Sequence, residues 1–346
     1  MFIPNFMVGM VASERTLIGR LVLITLGLTL LLAASGFLGI AMGPSGASFG
    51  DVLAIFSGKA ANQSITSTIV WQIRLPRVIL AATVGASLAL GGLVFQALLR
   101  NPLAEPYILG ISGGSAVGAI IGLLLGLSPF PGVPLAAFGG SMLILFLVLG
   151  LVSGQSAINR DSMLLGGVMM NAFCGAIIMF LISISQTSQV HQILFWLMGD
   201  FTMFSTDRLP ILLTLLPCFL LIFVLARPMN LILAGHESAA ALGINVQRLS
   251  LILLVTTTFM VSIVVCQSGL VGFVGLVVPH ILRMLLGPDH RLLIPASILG
   301  GGAYLILCDL LARTLSSTGE MPVGIVTAMI GAPLFIALLW RSRRCR

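Results

Sequence analysis

Apolar residues run through this chain in long blocks, and short stretches holding the charges, prolines and glycines separate them. A helix crosses the hydrocarbon core of a bilayer in about 20 residues. The pattern therefore predicts ten crossings, at about 17–40, 75–99, 107–126, 134–152, 162–185, 209–226, 249–268, 270–286, 292–312 and 322–340. The first block could pass for a signal peptide. It is long for that, and Glu14-Arg15 is a weak basic start, so a retained span is expected. Three intervening stretches differ in kind. Residues 43–67 are polar. Residues 191–204 (HQILFWLMGDFTMF) are apolar but short, as in a segment lying at an interface. Residues 227–248 form a polar, alanine-rich insert. A β-barrel would alternate polar and apolar positions, and these blocks do not.

Composition agrees with an all-α polytopic membrane protein. Of 346 residues, 58% are hydrophobic and 8% charged, against roughly 25% charged in soluble chains. The net charge of +7 rests almost wholly on arginine, since Lys59 is the only lysine. With ten spans both termini share one side. That side collects Arg15, Arg20, Arg100, Arg160, Arg227, Arg248, Arg283, Arg291, Arg341, Arg343, Arg344 and Arg346. The other holds Lys59, Arg74, Arg77, Arg208 and Arg313. Basic residues concentrate in cytoplasmic loops, so both termini are expected in the cytoplasm and no nucleic-acid role is implied. The five cysteines form no CxxC pair, and four lie in apolar blocks, where they read as small fillers. No metal site or catalytic residue set is expected.

Glycines recur every fourth position at Gly110, Gly114, Gly118, Gly122 and Gly126, which predicts close packing of that span against a neighbour. Gly92-Leu93-Val94 recurs as Gly275-Leu276-Val277, which in so glycine- and leucine-rich a chain reads as coincidence.

Few residues could carry chemistry. The Ser57-Gly58-Lys59-Ala60 stretch has Leu53 and Ala60 where a phosphate-binding P-loop needs Gly and Ser/Thr, so any ATP hydrolysis would belong to another subunit. Gly235, His236, Glu237, Ser238, Ala239, Ala240, Ala241, Leu242 and Gly243 read as a short helix closed by a glycine cap. Its Glu-x-Ala-x-x-x-Gly spacing resembles the coupling loop by which importer permeases meet an ATPase. Arg74, Arg77 and Arg313 lie on the side poor in positive charge, where docking of an acidic partner and interfacial snorkelling are both open. Asp309 is the one carboxylate clearly inside a span, and an i,i+4 ion pair with Arg313 is its plain reading.

The stretch 71–115 (WQIRLPRVILAATVGASLALGGLVFQALLRNPLAEPYILGISGGS) strongly resembles the FecCD-type permeases, the membrane subunits of ATP-binding-cassette importers for ferric siderophores, haem and cobalamin. Arg227-Pro228-Met229-Asn230, Ala241-Leu242-Gly243, Gly269–Arg283 (GLVGFVGLVVPHILR), Asp289-His290-Arg291 and Met321–Leu339 match in the family order. The resemblance implies a ten-span permease of type II importer architecture working as a homodimer. Two ATPase subunits carrying ATP and magnesium would sit below it. A periplasmic or lipid-anchored substrate-binding protein would dock above, in a bacterial or archaeal inner membrane. It implies docking roles for Arg74, Arg77 and Arg313, an ATPase-coupling role for Gly235 to Gly243, and a cytoplasmic gate at Asn101, Pro102, Leu103, Asn159, Arg160 and Asp161. Arg160-Asp161 departs from the small hydroxyl residues of the cobalamin permease, which puts both that gate and that substrate in question. A ferric siderophore is the first expectation, with cobalamin and haem behind it, mainly on how common each is. The rival class is an ion-coupled secondary carrier. The scarcity of ionisable groups inside the spans argues against it.

Overall fold

The computed structural model describes residues 14–43, 65–152, 160–202, 204–315 and 320–344, with the single positions 50, 52 and 55. Among these the chain is helical throughout, and no strand occurs. The helices are α1 (Glu14–Ala41), α2 (Leu75–Leu99), α3 (Ile111–Leu124), α4 (Gly132–Val152), α5 (Arg160–Ile184), α6 (Thr187–Leu197), α7 (Leu215–Val224), α8 (Ala226–Ala234), α9 (His236–Ala241), α10 (Val246–Ser268), α11 (Val274–Leu286), α12 (His290–Leu315) and α13 (Val323–Arg344). Among the described residues, seven helical stretches are long and apolar enough to cross a bilayer, and three shorter apolar helices, Ile111–Leu124, Val274–Leu286 and Val323–Leu338, accompany them.

Helix α2 is the axis of the bundle. It is nearly enclosed, whereas α1 and α5 leave most of their side chains outward. Three glycines explain how one helix takes so many neighbours. A Cβ on Gly85 would collide with the Gly301 carbonyl of α12 and approach Leu305 Cβ to 2.7 Å. One on Gly91 would press on Val261 of α10 at 3.1 Å, and one on Gly92 would overlap the backbone of Gly275 on α11. Backbones in van der Waals contact gain dispersion energy that lipid cannot supply. The repeat dismissed as coincidence therefore has a physical use: its two copies meet at their first glycines.

The four-residue glycine spacing acts in the same way. Gly114 and Gly118 of α3 lie against the backbone of α4 at Gly140 and Ala136, and Gly122 faces Ala136 Cβ at 3.2 Å. Gly110 and Gly126 instead serve the ends of this segment, with φ of 77° and 68°, the left-handed region that suits glycine.

Helix α2 starts earlier than its charges suggested. Helical turns at Ile65–Thr68 and a π-helical stretch at Ile69–Arg74 run into it without a break. Pro76 has no amide hydrogen and crowds the preceding turn. The helix widens there, and the Leu75 amide bonds to the Val70 carbonyl, five residues back.

Candidate functional site

The functional groups fall at three levels of the α2–α12 pair. At one end, Arg77 of α2 donates through Nε to Asp309 Oδ1 at 3.0 Å, and its Nη2 lies 3.0 Å from the same oxygen. Its Nη1 pairs with Glu320, which precedes α13. Arg313 contacts the other Asp309 oxygen at 3.0 Å, the i,i+4 pair read from the sequence. The same end caps α1. Arg313 Nη2 donates to the Gly39 carbonyl at 3.1 Å, and Arg74 Nη1 donates to those of Ile40 and Ala41 at 2.7 and 3.1 Å. The last carbonyls of a helix lack intrahelical donors and carry its negative pole, so guanidinium is a fitting partner.

Arg74, Arg77 and Arg313 are 3%, 6% and 4% exposed. The sequence left docking of an acidic partner and snorkelling both open for them, and the family resemblance implied docking. Within this chain their charge is engaged, and Glu320 is the member of the network that reaches the surface. Sequence reading passed over Glu320, although it stands at the head of the matching stretch 321–339.

At the middle level two irregular segments lie together. Helices α3 and α11 have 14 and 13 residues, about 20 Å each, short of a ~30 Å hydrocarbon core. Segments 100–110 and 269–273 make up the difference, and side chains of the first satisfy backbone groups of the second. Tyr107 Oη donates to the Val271 carbonyl at 2.9 Å and accepts from its amide at 3.0 Å. The Phe273 amide bonds to the Glu105 carboxylate, and Gln96 Nε2 donates to the Gly275 carbonyl at 3.2 Å. Phe273 itself sits at φ 68°, an uncommon conformation for a bulky residue. Gly331 of α13 makes room for it, since a Cβ there would meet Phe273 Cβ at 2.5 Å. Non-helical backbone is tolerated at such depth only when protein supplies its hydrogen bonds.

At the other end lie α8 and α9, where the sequence indicated a polar insert. Gly235, at φ 138°, breaks the helix between them. Helix α9 closes as expected: the Gly243 amide bonds to the Ala240 carbonyl at 2.9 Å and the Ile244 amide to that of Ala239 at 3.1 Å. With Gly243 at φ 82°, this is a Schellman ending. Ala239 is buried, while Ser238, Ala240, Ala241, Leu242 and Gly243 are exposed, Leu242 at 65%. His236 and Glu237 are placed as the first residues of this helix.

Helix α8 is tied down on two sides. Arg100, at the left-handed end of α2, donates to the Ile232 carbonyl. Asn230 Nδ2 donates to Asp289 Oδ1 at 2.7 Å, and Asn230 Oδ1 faces the His290 amide at 2.9 Å and its Nδ1 at 2.7 Å. Asp289 Oδ1 also accepts from the Arg291 amide at 2.9 Å, capping α12.

Of the expected gate, Asn101, Pro102 and Leu103 form a turn closed by Asn101 Oδ1 accepting from the Leu103 amide at 2.9 Å. Pro102 and Leu103 are exposed. Arg160 and Asp161 open α5, and Asn159 lies outside the described residues.

Comparison with known proteins places this architecture. Residues 30–341 match the FecCD transport family. A vitamin B12 import system permease protein from Klebsiella pneumoniae is 41% identical over 276 residues, covering 79% of this chain and 83% of that one. The protein of the same description from Citrobacter koseri is 41% identical over 277 residues, covering 80% and 84%. A solved structure described as a metal-chelate type ABC transporter in an inward-facing conformation superimposes with a TM-score of 0.82 at 33% identity, covering 92% of this chain and 99% of that one. The chain belongs to the FecCD transport family. It is a multi-pass membrane transport protein with the fold of an ABC importer permease, and it is not an enzyme.

Proposed function

We propose that this chain is the permease subunit of an ATP-binding-cassette importer for a metal chelate. Its ten apolar helical segments are the ten spans, with both termini in the cytoplasm. Two copies form the pathway, α9 meets an ATPase subunit that holds ATP and magnesium, and a substrate-binding protein docks at the opposite rim. The observation that carries the reading is the identity of 41% with a vitamin B12 permease across 83% of its length. It also reorders the substrates: cobalamin comes ahead of the ferric siderophore ranked first from the sequence, where only frequency of occurrence separated them.

The geometry suits this work. Helix α9 presents small side chains and Leu242, a surface able to seat in a groove. At the far rim a partner's carboxylate would reach Arg77 by exchanging with Glu320. The turn at Asn101–Leu103 would lie at the cytoplasmic mouth. The permease performs no covalent step. Binding energy at the rim and nucleotide energy at α9 bias which mouth is open.

Gentle solubilisation of the tagged chain from its native membrane, followed by mass spectrometry, tests the assembly. Recovery of an ATPase with a P-loop together with a solute-binding protein is expected. Titrating that binding protein with cobalamin, a ferric hydroxamate and haem then identifies the chelate. Recovery of the chain alone, still able to transport without ATP, would defeat the reading in favour of an ion-coupled carrier.

A further inference from the structure

Asn230 stands where the ATPase-facing segment is fastened to the rest of the bundle. Helix α8 leads through Gly235 into α9, and α10 follows it on the other side, so α8 is one of the two helices that displacement of α9 can reach directly. Its polar ties are few: Arg100 holds the Ile232 carbonyl, and Asn230 holds Asp289 and His290 at the start of α12. Both ties end on the same rigid body. Arg100 closes α2 and His290 opens α12, and these two helices touch backbone to backbone at Gly85 and Gly301. Nineteen residues along α12 from His290, about 29 Å, stands Asp309, bonded to Arg77 of α2.

The clasp is specific in its chemistry. Asn230 uses its amide hydrogen on a carboxylate and its oxygen on two donors. An ionised carboxylate, which only accepts, could not do both at once. His290 is 1% exposed, and its Nε2 has no hydrogen-bond partner. With Nδ1 donating to Asn230, Nε2 carries the lone pair, so Asn230 is the polar partner fixing the ring. A plain helix cap needs Asp289 alone, which already accepts from the Arg291 amide. Asn230 adds a cross-link between two helices that the cap does not require.

We propose that Asn230, with Asp289 and His290, is the joint that transmits movement between the ATPase-facing helix α9 and the Arg77–Asp309–Glu320 network at the opposite rim. It is a positioning residue. The inference rests on the importer reading above.

The test uses the full complex in proteoliposomes: permease, its ATPase and its binding protein. Two readouts are taken, cobalamin transported per ATP hydrolysed and stimulation of ATP hydrolysis by the binding protein. Asn230→Asp sets two carboxylates face to face, and both readouts should fall at least about fivefold while the ATPase still co-purifies. The exchanged pair Asn230→Asp with Asp289→Asn removes the facing carboxylates and re-forms the clasp, because the new carboxylate accepts from His290 and from the new amide; the Arg291 amide, which shared Asp289 Oδ1, must then be capped by the other side-chain atom of residue 289. The exchange should return both readouts to within about twofold of the starting protein. If Asn230→Asp fails to assemble, Arg100→Gln, which cuts the second tie, takes its place with the same expected loss. Unchanged readouts in a coupled wild-type complex overturn the joint. Losses that track thermal stability in every variant, with no recovery in the exchanged pair, also overturn it and leave a structural cap. A wild-type complex without ATP-dependent transport or ATPase recruitment instead defeats the importer reading itself.

Discussion

Arg77 and Asp309 stand 232 positions apart in the chain and are joined by two contacts of 3.0 Å, both to one carboxylate oxygen. Both are buried, and Asp309 also answers Arg313. Breaking such a pair from one side leaves an uncompensated buried charge, worth about 3–5 kcal/mol. Asp309→Asn should therefore lower the thermal midpoint of the purified protein sharply. Replacing Asp309 together with Arg313, Asp309→Leu with Arg313→Met, leaves Arg77 paired with Glu320 and should be much milder than Asp309→Leu alone. Equal loss in the single and double variants, read by differential scanning fluorimetry in detergent, would contradict this account of the network.

Helix α2 depends on missing side chains. Gly92→Ala forces a Cβ into the backbone of Gly275, and overpacking of this kind costs about 1–3 kcal/mol or more. Gly175→Ala on α5, where a Cβ meets nothing within 4 Å, should gain a few tenths to about 1 kcal/mol from helix propensity. Thermal midpoints of the two variants should move in opposite directions.

The irregular segments 100–110 and 269–273 are joined at Val271 by the Tyr107 phenol. Tyr107→Phe removes a donor to and an acceptor from Val271 and leaves two backbone groups unsatisfied, at about 1–3 kcal/mol. Amide exchange at Leu270 to Phe273 should quicken, while exchange in α12 stays as it was. Unaltered exchange at Val271 would show that the hydroxyl is not what fixes this segment.

The proposed contact of α9 with an ATPase can be separated from folding. Leu242 is exposed beside the Schellman ending. Leu242→Arg should leave the thermal midpoint within about 0.5 kcal/mol and abolish co-purification of the ATPase. Gly243→Ala strains a residue at φ 82°, costs about 1 kcal/mol locally, and should weaken that association only in part. A Leu242→Arg protein that retains its ATPase would remove α9 from the interface.

The sequence carried some of this plainly. Apolar blocks mark ten helical segments because a bilayer demands length, and length shows in one dimension. The glycine ending of α9 was legible at Gly243, since a left-handed cap selects its residue locally. What failed to show was pairing at a distance. Arg74 and Arg77 looked like the outer limit of a span because isolated charge belongs in water. Asp309 and Glu320 let Arg77 sit inside, and helix continues back to Ile65. Gly92 and Gly275 looked like a chance repeat, and only the crossing of two helices gives their coincidence a cause. Asn230, Asp289 and His290 were visible as matching stretches without a role. Amide–carboxylate complementarity across 59 positions leaves no local spacing to read. Of the expected gate, the turn at Asn101–Leu103 has a structural account, and its chemistry stays with the proposal.

The central claim is that ATP bound to a partner drives a chelate through this chain. The most direct measurement is uptake of radiolabelled cobalamin into proteoliposomes that hold the permease with its ATPase and receive the loaded binding protein, with ionophores collapsing every ion gradient. The account predicts accumulation that requires hydrolysable ATP and is lost with a non-hydrolysable analogue. Uptake that persists without ATP and vanishes with the ionophores would contradict it.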